Sequence, residues 1–181
     1  GEPDGAGVSN SGAEFTYSSD ISAEANASAG SDTLYGGSLS TLDQDTGNNI
    51  ILGQQGSDTL YGGGGDDDIY GGHNVAGGSD SGDAIDGGAG NDVIVGDNGL
   101  IERSASATDP RFTTITDQAI YDLEDNAQIN DSSTTGANPD AVEARIITIY
   151  DHADNATFGT YGDDIIAGGA DDDLIFGQLG D

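Results

Sequence analysis

The chain has 181 residues, of which 34 are acidic and three are basic, so its formal net charge at pH 7 is −31. Nucleic-acid phosphates and anionic membrane surfaces repel such a chain, and no apolar run approaches the length of a membrane span. Nucleic-acid binding is therefore excluded unless a metal intervenes, and membrane insertion is excluded. Cysteine is absent, which removes disulfides and thiolate chemistry. With this charge and few large aliphatic residues, composition alone predicts a disordered polyanion.

The first 26 residues have the composition of a linker. Residues 1–26 consist mainly of Gly, Ser, Ala, Asn and acidic residues and show no period. We expect a flexible N-terminal arm or linker here, or an arm that adds a strand to the open edge of a neighbour. Because the chain begins with Gly1 rather than Met, we also expect it to be processed or to be a piece of a longer protein.

From residue 27 onward the chain repeats a nine-residue unit, most clearly in Gly53–Tyr61 and in Gly62–Tyr70, which follows directly. Across eight units the eighth position is always a large aliphatic residue, and the sixth is Asp in seven units and Asn in one. One aliphatic side chain per unit cannot build a core, but stacked units align these side chains into a continuous ladder. The fixed spacing therefore overturns the prediction of disorder. The eight units end at Tyr35, Leu52, Tyr61, Tyr70, Asp86, Val95, Ala167 and Phe176.

This pattern resembles the G-G-x-G-x-D-x-U-x nonapeptide of the RTX (repeats-in-toxin) calcium-binding family. The resemblance implies an all-β fold, a right-handed parallel β-roll in which six residues form a turn and three form a short strand, with calcium between the stacked turns. The side-chain ligands that it implies are Asp32, Asp58, Asp67, Asp83, Asp92, Asp164 and Asp173, with Asn49 as a weaker one. The turn carbonyls that it implies as further donors are those of Gly63, Gly65, Asp66, Gly88, Gly90, Asn91, Gly162, Asp163, Gly169 and Asp172.

The electrostatics of the repeat also favour calcium. Sixth-position carboxylates on stacked strands lie about 4.7–4.9 Å apart, and like charges at that distance cost about 3–4 kcal/mol per pair at an effective dielectric constant near 20. Ca²⁺ accepts carboxylate and carbonyl oxygens together, whereas Mg²⁺ is too small and transition metals would need His or Cys, of which only His73 and His152 are present. We expect about four to seven calcium ions per chain, one between each pair of stacked turns. Aspartates off the sixth position are expected to be solvated or to donate carbonyls only, namely Asp66, Asp68, Asp86, Asp163, Asp171 and Asp172.

Insertions interrupt three of the turns. Gly36 opens a unit with eight extra residues, Gly71 opens one with seven, and Gly96 opens one that 63 residues interrupt. The predicted organisation is a roll at 27–95, an inserted β-rich lobe at 96–158, and a resumed roll at 159–181 that ends in mid-repeat.

Within the inserted lobe, segments 111–116, 119–123 and 141–150 are rich in β-branched residues and tyrosine, which predicts strands. The lobe is either a contact surface for a neighbouring subunit or a decoration with a minor core of its own. Arg111 and Arg145, two of the three basic residues, pair either with the acidic roll of another molecule or internally.

Enzymatic function finds no support in the sequence. There is no H-E-x-x-H motif, and Gly78–Gly82 carries Asp80 where a G-x-S-x-G motif has its nucleophile. The repeated Thr and Asn ladder of an ice-binding solenoid is also absent.

The sequence therefore predicts a non-enzymatic, calcium-binding structural protein, secreted by a bacterium and located outside the cell or on its surface. As a β-roll building block it would assemble with copies of itself, head to tail, into a fibre, matrix or surface layer. The alternative is that the chain is one segment of a larger adhesin, toxin or exoenzyme, with further repeats as its neighbours, in which the roll is a stalk or an aid to secretion and folding.

Overall fold

The computed structural model describes residues 16–18, 31–37, 46–104, 109, 111–116, 120–121, 127–129, 132–135, 143–152 and 161–180. All regular structure in these ranges is β-strand, which confirms the all-β prediction for them. Since they contain no helix, they contain none that is long and apolar enough to cross a membrane. The N-terminal arm predicted at 1–26 lies outside the described residues apart from 16–18.

The strands are short, as expected from units that give three residues to each strand. In chain order they are β1 (Thr16–Ser18), β2 (Thr33–Tyr35), β3 (Ile50–Leu52), β4 (Thr59–Gly64), β5 (Asp68–Tyr70), β6 (Ala84–Ala89), β7 (Val93–Val95), β8 (Gly99–Ser104), β9 (Phe112–Thr116), β10 (Ile120–Tyr121), β11 (Ala127–Ile129), β12 (Ser132–Thr135), β13 (Ala144–Ile149), β14 (Ile165–Ala170) and β15 (Leu174–Phe176).

The repeat strands form two sheets in which every neighbouring pair is parallel. The first sheet has the order β1-β3-β5-β7-β15, and the second has the order β14-β6-β4-β2. From β2 to β7, successive strands of the chain belong alternately to the two sheets. Each nine-residue unit therefore crosses from one sheet to the other through its turn.

The eighth positions of the units form the core between these sheets, as the repeat predicts. In the first sheet Ile51 pairs with Ile69 and Ile69 with Ile94, so one apolar row follows the direction of stacking. The corresponding row of the second sheet packs against it. The buried members of this cluster are Leu34, Ile51, Leu60, Ile69, Ile85 and Ile94, with Ile166 partly buried beside them.

The inserted residues form a third sheet of order β12-β9-β13-β8 and a two-stranded pair of β10 and β11. The strands β9, β10 and β13 fall in the three segments that the sequence predicts as strands. The sequence did not predict β8, which pairs antiparallel with β13 over its full length.

Strands β8 and β13 cover the outer face of the first sheet, on the side away from the eighth-position core. Ile101, Ile147 and Ile149 pack there against Tyr70 and Val95 and their neighbours in the first sheet. The Tyr70 hydroxyl donates to Ile101 O at 3.1 Å and accepts from Ile101 N at 2.7 Å. The described part of the insertion thus packs on its own chain and shares a core with the first sheet.

Candidate metal-binding turns

The eight sixth-position residues form two columns of four, one in each stack of turns. In each column the last three side chains accept, through one oxygen, the backbone N–H of the sixth-position residue in the neighbouring turn. In column 1, Asp58, Asp83 and Asp164 accept from the preceding members at 2.7, 2.7 and 2.9 Å. In column 2, Asp67, Asp92 and Asp173 do so at 2.7, 2.8 and 3.0 Å. Column 1 consists of Asp32, Asp58, Asp83 and Asp164, and column 2 of Asn49, Asp67, Asp92 and Asp173.

The second carboxylate oxygen lies against the glycine that opens the same unit. A Cβ atom on Gly62 would collide with Asp67 Oδ2 and with Gly87 O of the next turn, and a Cβ on Gly53 would lie 2.9 Å from Asp58 Oδ2. Glycine is therefore required at the first position by the closeness of these oxygens.

The same contact holds in the units that carry insertions. A Cβ on Gly71 would meet Asp83 Oδ2, and one on Gly96 would meet Asp164 Oδ2, although many residues separate each pair in the sequence. The extra residues therefore leave the stacking of these turns unchanged.

The inner members of the columns are deeply buried for groups that carry charge, whereas Asp32, Asp164 and Asp173 are half-buried. Asp67 and Asp92 have no exposed surface, and Asp83 is 3% exposed. Burial is the main cause that raises the pKa of Asp83 to about 8; the carboxylates of Asp58 and Asp164 contribute to the rise, and the hydrogen bond from the Asp58 backbone opposes it. Burial likewise raises the pKa of Asp92 to about 7, with Asp173 adding to the shift. The pKa values of Asp164 and Asp173 are raised by the same cause.

Several of the buried oxygens lack a hydrogen-bond partner among the described residues, including Oδ2 of Asp83, Asp92 and Asp164. An ionised carboxylate that is buried without compensation is unfavourable by several kcal/mol. At neutral pH these columns must therefore bind a proton or a cation.

The donor set fits a hard cation bound by oxygen atoms of mixed origin. Among the described residues, no three His, Cys, Asp or Glu side chains converge in a way that could hold a metal ion. A cation between two turns would therefore take one or two carboxylates and complete its shell with carbonyl oxygens and water, which suits Ca²⁺. The predicted carbonyl donors Gly63, Gly65 and Gly88 lie against the glycine of the next turn, at Gly88, Gly90 and Gly169 respectively.

Positive φ angles explain why glycine occupies the second position in column 2. The φ angles of Gly63, Gly88 and Gly169 are 109°, 103° and 114°, a region that other residues rarely adopt.

Two more predicted carbonyl donors face neighbouring turns of the stack that carries column 1, where Gly162 O lies against Gly180 and Asp163 O lies against Gly82.

Two of the predicted carbonyl donors accept hydrogen bonds from arginine. Asp66 O accepts from Arg145 Nη2 at 2.9 Å, and Asp172 O accepts from Arg111 Nη2. Arg111 Nη2 also donates to Asn91 Oδ1 at 2.6 Å. The remaining donors Gly90, Asn91 and Gly169 belong to the same turns of column 2. The described contacts of Arg111 and Arg145 are thus internal to the chain.

The prediction that Asp68 is solvated is wrong. Its side chain is 1% exposed, and it pairs with Arg145 Nε at 2.9 Å and with Arg103 Nε at 2.5 Å. Asp68 points outward from β5, on the face that β8 and β13 cover, so its charge is buried against the two arginines that these strands supply. Of the other aspartates off the sixth position, Asp66 is half-buried, and Asp86, Asp163, Asp171 and Asp172 are exposed, as predicted.

Two further carboxylates are buried in the turns that carry column 1, outside the sixth positions, and were not predicted as site residues. Asp80 is 3% exposed and Asp97 is 1% exposed. Burial raises the pKa of Asp80 to about 9 and that of Asp97 to about 7. Both residues lie near insertions, where the repeat pattern is interrupted, and for this reason the pattern did not identify them as site residues. The available signal was that Asp97 directly follows the unit-opening Gly96, where most units have a second glycine.

Comparison with protein-family models finds the RTX calcium-binding nonapeptide repeat in four copies, at residues 25–38, 43–72, 77–99 and 158–181. These segments make up half of the chain, and each interval between them falls within one of the three insertions. Comparison with curated proteins and with solved structures gave no match.

Proposed function

The chain belongs to the family of RTX calcium-binding nonapeptide-repeat proteins, and from this premise we propose that it is a secreted, non-enzymatic structural protein whose right-handed parallel β-roll is stabilised by calcium. Repeats of this family bind calcium and are generally non-catalytic. The observation that carries the proposal is the pair of buried carboxylate columns, in which Oδ2 of Asp83, Asp92 and Asp164 accepts no hydrogen bond.

Calcium resolves the electrostatic conflict of these columns better than protonation does. An ion between two turns would neutralise the sixth-position carboxylates, and the carbonyl oxygens beside them would coordinate it. Each column of four leaves three spaces between turns, which supports about four to seven ions per chain, one for each space with small deviations at the ends. The proposed side-chain ligands are Asp32, Asp58, Asp67, Asp83, Asp92, Asp164 and Asp173, with Asn49 as a weaker one.

The proposal is tested by circular dichroism of the full chain in calcium, in excess chelator, and in magnesium at the same ionic strength. We expect a β spectrum in calcium and a disordered spectrum in the other two conditions. Magnesium is the matched control, since it screens charge equally well but retains its water. A β spectrum that survives chelation at about pH 8, where the column carboxylates are ionised, with no bound metal, would overturn the proposal.

We further propose that the protein assembles end to end with copies of itself outside the cell, in a fibre, matrix or surface layer. The supporting observation is the end of the stack at β14 and β15, the last strands of their sheets. Ile175, an eighth-position residue, is 41% exposed there, whereas its neighbour Ile94 has no exposed surface. Ile166, the eighth-position residue of β14 in the second sheet, is only partly buried, whereas its partner Ile85 is 3% exposed.

Stacking on the β1 and β2 end of a second copy would cover these side chains and continue both sheets. Calcium would reduce the repulsion between molecules of charge −31, and head-to-tail contacts that do not close produce filaments. The alternative is that further repeats of a longer adhesin, toxin or exoenzyme cover this end. An extracellular location fits both self-assembly and the longer-chain alternative, because weak modular calcium sites are filled at the roughly millimolar calcium concentration outside cells.

Light scattering and electron microscopy across a calcium titration separate these alternatives. We expect the wild-type chain to assemble and Ile175→Lys to remain folded but monomeric. Val75→Lys is the matched control, because Val75 is 50% exposed and lies in the inserted residues that precede β6 rather than in an end strand. A wild-type chain that folds in calcium and stays monomeric at high concentration would contradict self-assembly and favour the longer-chain alternative.

A further inference from the structure

Column 1 contains a second arrangement of oxygen atoms beside the one that the repeat provides. A Cβ on Gly71 would meet Asp83 Oδ2 and Gly96 O, which is the contact common to all first-position glycines described above. A Cβ on Gly72 would lie 2.6 Å from Asp80 Oδ2 and 2.9 Å from Asp97 O. Asp80 thus has the same relation to Gly72 and Asp97 O that Asp83 has to Gly71 and Gly96 O. The two glycines are consecutive in the chain, so the two arrangements lie side by side.

The side chain of Asp97 supplies the second observation. It is 1% exposed, and while its Oδ2 accepts from Leu179 N at 2.8 Å, its Oδ1 accepts no hydrogen bond among the described residues. Such a buried oxygen needs a partner, and a cation provides one without further groups from the protein.

The charges around this pair are mutually repulsive. The carboxylates of Asp83, Asp97 and Asp164 all raise the pKa of Asp80, after the larger effect of burial. In column 2, by contrast, Arg145 lowers the pKa of Asp92 and Arg111 lowers that of Asp173. Column 2 thus receives positive charge from the insertion, while column 1 has two carboxylates more than the repeat requires.

We propose that Asp80 and Asp97 form an additional Ca²⁺ site in column 1, adjacent to the repeat site of Asp83 and Asp164, and that this pair of sites binds calcium most tightly in the chain. Asp80 contributes Oδ2, and Asp97 contributes its carbonyl oxygen and Oδ1. Water completes the six to eight oxygens that Ca²⁺ takes, and calcium affinity rises with the number of charged ligands. This inference rests on the proposed calcium-binding function.

The test is calcium titration of the full chain by competition with a chromophoric chelator, for the wild type, Asp80→Asn and Asp97→Asn. Asparagine preserves shape and can still accept a hydrogen bond, but it removes the charge. We expect each variant to lose at least one equivalent of calcium from the tightest phase, whose apparent Kd rises about tenfold or more, while the weaker phase persists. Asp86→Asn and Asp171→Asn are the matched controls, because both aspartates are exposed, and they should titrate as the wild type does.

Terbium luminescence gives an independent readout of position. Tyr161 lies close enough to Asp97 for that carboxylate to contribute to raising the Tyr161 pKa to about 12, with burial as the main cause. Tb³⁺ in the proposed site should therefore be sensitised by Tyr161, and Tyr161→Phe should weaken the emission of the first equivalents bound.

The outcomes distinguish this site from the general function. A tight phase that survives both Asp80→Asn and Asp97→Asn, in chains whose β spectrum in saturating calcium is unchanged, would overturn the additional site while leaving repeat binding intact. Variants that fail to fold even in saturating calcium would be judged by Tyr161→Phe alone, where unchanged early emission overturns the site. A wild-type chain that binds no calcium would overturn the proposed function itself.

Discussion

Replacing Asp68 with asparagine should destabilise the protein strongly even though Asp68 lies outside the repeat's ligand positions. The carboxylate is 1% exposed and bridges two guanidinium groups, Arg145 Nε at 2.9 Å and Arg103 Nε at 2.5 Å. At an effective dielectric constant near 20, one pair at such a distance corresponds to about 6 kcal/mol of gross attraction, most of which offsets the cost of burial. Replacing the carboxylate removes its attraction to the two guanidinium groups, but the cost of burying these charged arginines remains.

The expected loss in free energy of unfolding is about 3 kcal/mol, the lower end for breaking one partner of a buried pair. Asparagine can still accept one hydrogen bond, and Arg145 keeps its bonds to Asp66 O and Glu143 O at 2.9 and 2.7 Å. Urea denaturation at fixed free calcium measures this loss, since urea adds no ions and a varying calcium level would itself shift stability.

Asp86→Asn is the control for this measurement, because Asp86 is an exposed aspartate on the second sheet. It should change stability by no more than about 0.5 kcal/mol, as is usual for surface substitutions. If Asp68→Asn fell within that same range, the buried contact of β8 and β13 with the first sheet would be refuted. If Asp68→Asn is destabilising as expected, a double-mutant cycle with Arg145→Gln separates the contribution of the Asp68–Arg145 pair from general damage to the interface.

Two further predictions concern the columns themselves. Gly87→Ala should lower both stability and calcium stoichiometry, because its Cβ would meet Asp92 Oδ2 and lie 2.5 Å from Gly168 O, whereas Gly177→Ala, with nothing within 4 Å, should be tolerated in the same calcium titration. The pKa values of Asp83 and Asp92, raised to about 8 and 7, mean that the calcium-free fold binds more protons than the unfolded chain between about pH 4 and those values. Without calcium, β structure should therefore weaken as pH rises from 5 to 8, while calcium affinity should increase over the same range; the opposite trend in circular dichroism and chelator competition would contradict the raised pKa values.

The repeat made the core of the two parallel sheets predictable, because its signals are local. Each unit carries its own aliphatic eighth position, and the register Ile51, Ile69, Ile94 follows once the units stack. The alignment of sixth positions into columns follows from the same nine-residue spacing. No long-range information is needed for either feature.

The contact of Asp68 was not predictable in this way, because Arg145 lies 77 residues further along the chain. A weaker signal was nevertheless present in the strand triplets. Those of the first sheet include Ile-Ile-Leu, Val-Ile-Val and Leu-Ile-Phe, whereas those of the second sheet include Thr-Leu-Tyr twice and Ala-Ile-Asp. Strands that are apolar at the seventh and ninth positions as well as the eighth are apolar on both faces, and such a sheet needs a covering layer on each side.

The position of the three arginines assigns the insertion a physical role in the stack of turns. Arg103 and Arg145 meet at Asp68 and donate to the turn carbonyls Asn49 O and Asp66 O at 3.1 and 2.9 Å, and Arg111 donates to Asn91 in the next turn. Guanidinium groups thus bind the turns that carry column 2, with positive charge fixed to the chain. Column 1, with its additional Asp80 and Asp97, carries the greater need for a free cation. The insertion therefore supplies fixed positive charge beside column 2 and leaves more of the negative charge of column 1 to a dissociable cation. We expect the turns of column 1 to depend more strongly on the calcium concentration than those of column 2.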